Sequence, residues 1–416
     1  MLLRLALRSL VNRRLTVLLT IFATALSVGL FLGVEKVRTG ARTSFANTVS
    51  GVDLIVGARS GAVQLLLYSV FRIGNATNNI TWETYQDLAA MEAVDWIVPL
   101  SLGDSHRGFR VLGTSSAYFD RYRFRGGQPL SFAEGARFDD LFDAVLGADV
   151  AAALDYGLGD PIIVAHGLAS FTLHDDKPFQ VVGILEKTGT PVDRTVHVSL
   201  AAIEAIHVDW QGGARIPGVS ISAEEVRQMT LEPQAVTAAM IGVTSNLAVF
   251  NLQRAINEYP EEPLLAVLPG VALQELWSLV GVAETALAGI SAMVVATAML
   301  GMAAMILAGL NERRREMAIL RAIGARPRVI MVMLVLEAGL ISIAGAALGL
   351  AMLYGGVLIA QPWLDATYGL YIAVTPPGLR EFATLAAIVA VGTAIGLVPA
   401  LRAYRLSLAD GMTVTT

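Results

Sequence analysis

The chain of 416 residues contains no cysteine. Disulfides, thiolate metal sites and cysteine nucleophiles are therefore excluded, and the redox compartment leaves no trace in the sequence. Lysine is nearly absent, occurring only as Lys36, Lys177 and Lys187. Charge is scarce: 16% of residues are Asp, Glu, Lys or Arg, where a soluble chain carries about 25%. No phosphate-binding loop of the form Gly-x-x-x-x-Gly-Lys-Ser/Thr occurs. Lys187-Thr188-Gly189 does not supply one, because the preceding Gly183 is wrongly spaced. Nor does it mark a penicillin-binding enzyme, since no lysine stands in a Ser-x-x-Lys motif; it reads as a turn. What the chain has instead is apolar residues, 55% of the total, with a mean hydropathy of +0.60. They are concentrated at the two ends, which predicts a membrane protein with a large soluble insert.

Four apolar runs are long enough to cross a bilayer, which takes about 20 helical residues. The expected spans are 15–36, 277–310, 329–359 and 381–401. The first is preceded by Arg4, Arg8, Arg13 and Arg14. It exceeds the apolar run of a signal peptide, about 7–15 residues, and no convincing cleavage site follows, so it reads as an uncleaved anchor. The third holds Gly345, Gly349, Gly355 and Gly356, small residues that let membrane helices approach closely. Arginine fixes the expected orientation. Residues 1–14 carry four arginines and no acid, and the loop 311–328 carries six against Glu312 and Glu316. The tail 402–416 carries Arg402 and Arg405 against Asp410. These three segments are expected in the cytoplasm, leaving 37–276 and the short loop 360–380 outside. Residues 37–276 contain 27 Asp and Glu and 16 Lys and Arg, a net charge of −11.

The insert reads as mixed α/β. Short β-rich runs occur at 53–57, 161–165, 180–185 and 195–199, and helix-like stretches at 143–158 and 200–207. The part at 102–138 reads as loops with short strands in no evident order. Beyond the first span, Val37, Ala41, Phe45 and Val49 continue one apolar stripe. A helix over 14–49 would reach about 50 Å, past the bilayer core. Pro269 and Gly270 precede Val271, Leu273, Leu276 and Trp277, which lead into the second span. The first two membrane helices are thus expected to extend outward as a stalk carrying the domain.

Glu312-Arg313-Arg314-Arg315-Glu316-Met317-Ala318-Ile319-Leu320-Arg321-Ala322-Ile323-Gly324-Ala325 resembles the cytoplasmic signature of the MacB/FtsX-like ABC transporter permeases. Pro399-Ala400-Leu401-Arg402-Ala403-Tyr404-Arg405-Leu406 is similar to their C-terminal signature. Ala144-Val145-Leu146-Gly147, Gly159-Asp160, Val181 to Leu185 and Pro191-Val192-Asp193 resemble their periplasmic core domain. The resemblance implies four transmembrane helices plus a large mixed α/β periplasmic domain on a helical stalk, in the bacterial inner membrane with both termini cytoplasmic. It implies a non-catalytic permease that works as a dimer with two copies of a separate ATPase; ATP and Mg belong to that partner, and this chain needs no cofactor. Motion of the ATPase would be received at Glu312, Arg313, Arg314, Arg315, Glu316, Met317, Leu320 and Arg321. The plainer alternative is that these arginines only anchor topology and touch lipid phosphates. The expected outcome is export or release of a peptide, lipid, lipoprotein or drug-like cargo, with a periplasmic protein or lipoprotein as a further partner. Two alternatives are service to a periplasmic zinc-acquisition system and a scaffold regulating a cell-wall enzyme. No nucleic-acid partner is expected.

Three further groups are candidates. Glu284 and Glu337 fall inside apolar spans, where carboxylates are costly and often functional. A structural role at a helix interface is the expectation for Glu337, and neither residue defines a proton path. His174-Asp175-Asp176 brings three metal-ligand types together, although neighbours on one loop rarely converge on one ion and a solvated acidic turn is the default. All five histidines, His106, His166, His174, His197 and His207, lie in the outward segment. The apolar run 60–71 is too short to span and reads as a buried core helix, or else as a surface for a lipoprotein or lipid tail.

Overall fold

The computed structural model describes residues 2–405 except 49, 168–172, 212–213, 217–218, 220, 313–316, 318, 320, 323 and 369–375. Two compact units emerge. Met1–Gly40, Gly281–Pro362 and Ile372–Thr416 form one; Ala41–Val280 with Trp363–Tyr371 forms the other.

The first unit is helical. Four helices are long and apolar enough to cross a membrane: Arg14–Gly40, Pro269–Leu310, Pro327–Leu364 and Leu379–Tyr404. Two continue well past the apolar part, as Arg14–Thr48 and Pro269–Glu312. The fourth is interrupted at Gly396, between Leu379–Ile395 and Leu397–Arg405. Pro399 lies just beyond, and its missing N–H removes a helical hydrogen bond there.

Small residues set the packing. A Cβ on Gly345 would lie 2.6 Å from Thr24 Cγ2, and one on Gly349 would lie 2.6 Å from the Ala25 carbonyl oxygen. These two glycines are where the first and third membrane helices touch. Gly355 and Gly356, grouped with them by sequence, have no described atom within 4 Å of such a Cβ. Val28, Leu32, Met302, Ile306, Leu334 and Ile341 fill the core between helices. Lys36 Nζ lies 3.4 Å from Glu381 Oε1, and the Tyr354 hydroxyl donates to Glu381 Oε2 at 3.2 Å. This polar knot joins the first, third and fourth helices.

The second unit is built on one sheet. From edge to edge its strands are Leu264–Val267, Leu54–Ala58, Ala238–Val243, Val94–His106, Phe109–Thr114, Thr195–Ser199, Asp143–Leu146, Phe179–Leu185 and Phe132–Gly135. Pro161–Ile162 pairs beside Phe179–Leu185. Thr195–Ser199 runs parallel to Phe109–Thr114, and Asp143–Leu146 parallel to Phe179–Leu185; the remaining pairs are antiparallel.

Both faces of this sheet are covered, so its strands are apolar on both sides. Ile55, Leu112 and Val145 point into one core with Leu65, Leu66, Leu100 and Tyr118. Their neighbours point the other way: Val111, Ala144 and Leu146 pack with Val196, Val198 and Ile206, while Leu54 and Val56 pack with Leu88, Ile241 and Leu252. Complete burial of each such side chain contributes about 1.5–3 kcal/mol.

The apolar run after residue 60 becomes the helix Ala62–Ser69, with Leu65 and Leu66 fully buried, so it belongs to the core. Leu200–His207 is a helix as expected. The stretch 143–158 differs: Asp143–Leu146 is a central strand, and only Ala148–Leu154 is helical. Gly147 makes the break, because the backbone of Val192 and Asp193 lies against the place a Cβ would occupy. The part at 102–138 is also more ordered than expected, since Val94–His106 and Phe109–Thr114 form a hairpin in the middle of the sheet.

Candidate functional site

In its pairing with Phe109–Thr114 the strand Val94–His106 keeps one register up to Leu102 and shifts before Ser105. Such a bulge re-aims the side chains near it. Beyond it, Ser105 exchanges backbone hydrogen bonds with Ala165, at 3.0 and 2.8 Å, and His174 N donates to the Val164 carbonyl at 2.9 Å. These bonds bring residues 104, 166 and 174 into one corner. The fourth contributor is His207, at the C-terminal end of a helix whose N-cap Ser199 accepts from Ala202 N.

Asp104, His166, His174 and His207 converge there. One donor atom from each lies within 4.8 Å of all the others. His166 Nδ1 is 2.9 Å from His207 Nε2 and 3.5 Å from Asp104 Oδ1. His207 Nε2 is 3.7 Å from Asp104 Oδ1. Asp104 is 4% exposed and His174 is fully buried. Neither ring nitrogen of His174 has a hydrogen-bond partner among the described residues.

His207 Nδ1 lies 2.7 Å from the Ile203 carbonyl oxygen. A carbonyl only accepts, so Nδ1 carries the proton and Nε2 presents its lone pair to the cluster. The Trp210 indole covers the group, with ring centroids 4.5 Å from His174 and 5.1 Å from His166. Burial, with the nearby His207 and His166, depresses the His174 pKa to about 3, so its imidazole is neutral at ordinary pH. Burial raises the Asp104 carboxyl, and His207, His166 and the Gly167 N–H oppose that shift.

Of the expected His174-Asp175-Asp176 set, only His174 belongs to this cluster. Asp176 turns instead to Lys177 Nζ at 2.8 Å and Arg215 Nη2 at 2.6 Å, and Asp175 is exposed. Lys177 and Asp209 are both fully buried and pair at 3.2 Å. This network anchors the chain on either side of His174 and Trp210. No local pattern in the sequence marks Asp104, His166 and His207 as ligands. The only hint was that every histidine lies outside the apolar runs, and two of the five are structural. His106 contacts the Ile163 carbonyl at 2.6 Å and the Tyr156 hydroxyl at 3.1 Å; His197 is buried against Tyr118 and Phe119.

In the loop between the second and third spans, Arg313–Glu316 and Leu320 lie outside the described residues, as does the side chain of Glu312 at the helix end. Met317 is 7% exposed and packs within the membrane-unit core. Ile319 presents an exposed apolar side chain instead, and Arg321 is half-buried. Gly324 has a φ of +102°, a conformation that favours glycine. Of the two intramembrane carboxylates, Glu337 is 4% exposed and lines a small cavity with Ser9, Arg13 and Met305. Arg13 Nη2 donates to the Gly309 carbonyl at 2.9 Å. Glu284 is half-buried on the helix Pro269–Glu312.

The profile of the MacB-like periplasmic core domain matches residues 15–239, more than half of the chain. That of the FtsX-like permease C-terminal region matches residues 288–408. The pyoverdine export ATP-binding/permease protein PvdT of Pseudomonas fluorescens Pf0-1 is 25% identical over 80% of this chain and 48% of its own length. The macrolide export ATP-binding/permease protein MacB of Bordetella avium is 24% identical over 99% of this chain and 59% of its own. The chain thus spans about half the length of these relatives. Among solved structures, the periplasmic region of MacB from Actinobacillus actinomycetemcomitans matches 55% of this chain and 94% of its own, at 11% identity and a TM-score of 0.34. The extracellular domain of the ABC-type transporter YknZ from Gram-positive bacteria matches 52% and 98%, at 13% identity and a TM-score of 0.30. With the core-domain match covering the insert and the permease match covering the last three spans, the chain belongs to the MacB/FtsX-like ABC transporter permease family.

Proposed function

We propose that this chain is a permease subunit that carries ATP-driven motion from the cytoplasm to its outer domain. One observation supports the reading above the rest. The helix Pro269–Glu312 is continuous from the outer unit through the apolar span to the arginine-rich loop. At 1.5 Å per residue its 44 residues extend about 66 Å, and this helix is the path we assign to the motion. Arg14–Thr48 provides a second continuous connection.

The motor is an ABC ATPase, in two copies, acting on a permease dimer. Arg313, Arg314, Arg315, Glu316, Leu320 and Arg321 are the contacts we assign to it, in the inner membrane with both termini cytoplasmic. The related proteins named for pyoverdine and macrolide export favour outward movement or release of a peptide, lipid, lipoprotein or drug-like molecule. The test is the double variant Arg314→Glu with Leu320→Ala. Permease-stimulated ATP hydrolysis should be abolished while membrane insertion is unchanged; full stimulation by the double variant would refute the docking assignment.

A further inference from the structure

We infer that Asp104, His166, His174 and His207 form a four-coordinate site for a divalent transition-metal ion, with Zn2+ as the best-fitting occupant. The inference does not depend on the coupling mechanism.

Three imidazoles and one carboxylate are the donors that Zn2+ and its neighbours prefer, whereas Ca2+ and Mg2+ take oxygen donors. The spacing fits as well. Nitrogen and oxygen ligands about 2.0–2.2 Å from a tetrahedral ion are about 3.3–3.6 Å from one another. The measured separations of 2.9, 3.5 and 3.7 Å bracket that value. These three distances join His166, His207 and Asp104, and the His174 donor lies within 4.8 Å of each of them.

His174 is the independent observation. It is fully buried, faces the other two imidazoles, and has no hydrogen-bond partner for either ring nitrogen among the described residues. A buried polar group in that condition is costly, and a metal bond to one ring nitrogen removes part of the cost. The surroundings match those of known metal ligands: His207 is oriented through Nδ1 by a backbone carbonyl, and Trp210 excludes water from one side. Four protein donors fill a tetrahedron and leave no position for a reacting water. The site is therefore a clamp that ties the end of a strand, the segment around 166, the turn at 174 and the end of a helix.

The test uses the full chain in detergent, purified through a tag without histidine and stripped with chelator. Competition against a chromophoric chelator should show one Zn2+ per chain, and Co2+ should give the intense visible bands of a tetrahedral complex. His166→Gln and His174→Ala should each weaken Zn2+ binding at least 100-fold, and Asp175→Asn should not. His166 is half-exposed, so His166→Gln should unfold at the wild-type temperature without metal while losing the upward shift that Zn2+ gives the wild type. Absence of stoichiometric binding at micromolar Zn2+, binding undiminished in the ligand variants, or the weak bands of six-coordinate Co2+ would each overturn the site.

Discussion

Replacing Gly349 by alanine tests the helix contact that organises the membrane unit. The added Cβ would lie 2.6 Å from the Ala25 carbonyl oxygen and 2.9 Å from Val28 Cβ. The oxygen belongs to helical backbone and cannot rotate away, so the first and third membrane helices must separate by several tenths of an ångström. Gly29 meets the same place from the other side, its Cβ position 3.3 Å from the Gly349 carbonyl oxygen. Overpacking of this kind costs about 1–3 kcal/mol. Against it stands a gain of about 0.5–1 kcal/mol, because alanine is the better helix former. Gly356→Ala on the same helix receives the gain without the clash, since no described atom lies within 4 Å of its Cβ position. Propensity cancels between the two variants, and their difference isolates the steric cost, about 1–3 kcal/mol. The assay is unfolding of the full chain in mixed micelles by titration with SDS, followed by helical circular dichroism. Gly349→Ala should unfold at a lower SDS fraction than wild type, and Gly356→Ala at an equal or higher one. Coincident transitions for the two variants would refute the close approach.

Two further predictions concern the α/β unit, in which Trp82, Trp96 and Trp210 report on unfolding in urea through their fluorescence, while Trp277 and Trp363 lie on the long helices Pro269–Glu312 and Pro327–Tyr368 and add a constant background. Burial depresses the His197 pKa from 6.5 to about 3, so the folded state cannot take the proton that the unfolded chain binds below 6.5. Stability is therefore full above pH 6.5 and falls with pH from there towards 3; between pH 7 and pH 5 this group alone removes about 2 kcal/mol. His197→Gln should flatten the urea midpoint over that range by the same amount, and an unchanged slope would show that His197 is not the responsible group. Lys177→Met leaves Asp209 buried beside only the more distant Arg215, at 3.5 Å, and should destabilise the unit by about 3 kcal/mol or more. The double variant Lys177→Met with Asp209→Leu should recover much of that loss, and equal instability of the two would contradict the pairing.

The elements legible in the sequence are those whose cause is local. The membrane helices could be read because each is an apolar run longer than any soluble helix of this composition needs. Thr195–Ser199 and Leu54–Ala58 could be read because β-branched residues cluster between turn signals. The hairpin of Val94–His106 and Phe109–Thr114 could not. Both its faces are buried, which removes the alternation of polar and apolar residues, and Pro99, Gly103 and the register shift after Leu102 break the run further. Asp143–Leu146 reads as part of a helix for a related reason. Its residues have no strong strand preference, and a strand forms there because Phe179–Leu185 and Thr195–Ser199, each more than 30 residues away, pair with it on both sides.

The same division separates the two candidate sites. A loop between two membrane helices is one contiguous stretch, so the segment 311–328 carries a signature that a linear reading finds. A metal site inside an α/β domain has no such constraint. Asp104 comes from a strand end, His166 and His174 from the segment that returns beside it, and His207 from a helix end, all gathered by sheet order and by the two backbone hydrogen bonds between Ser105 and Ala165. The acidic neighbours of His174 look like ligands in sequence because they are adjacent. In the fold, adjacency carries them away: Asp176 is held by Lys177 and Arg215, while His166, His207 and Asp104, which are 8, 33 and 70 positions distant from His174, close around it. The contiguous feature identifies what the chain shares with its family. The assembled one exists only where strand order and loop pairing bring distant residues together.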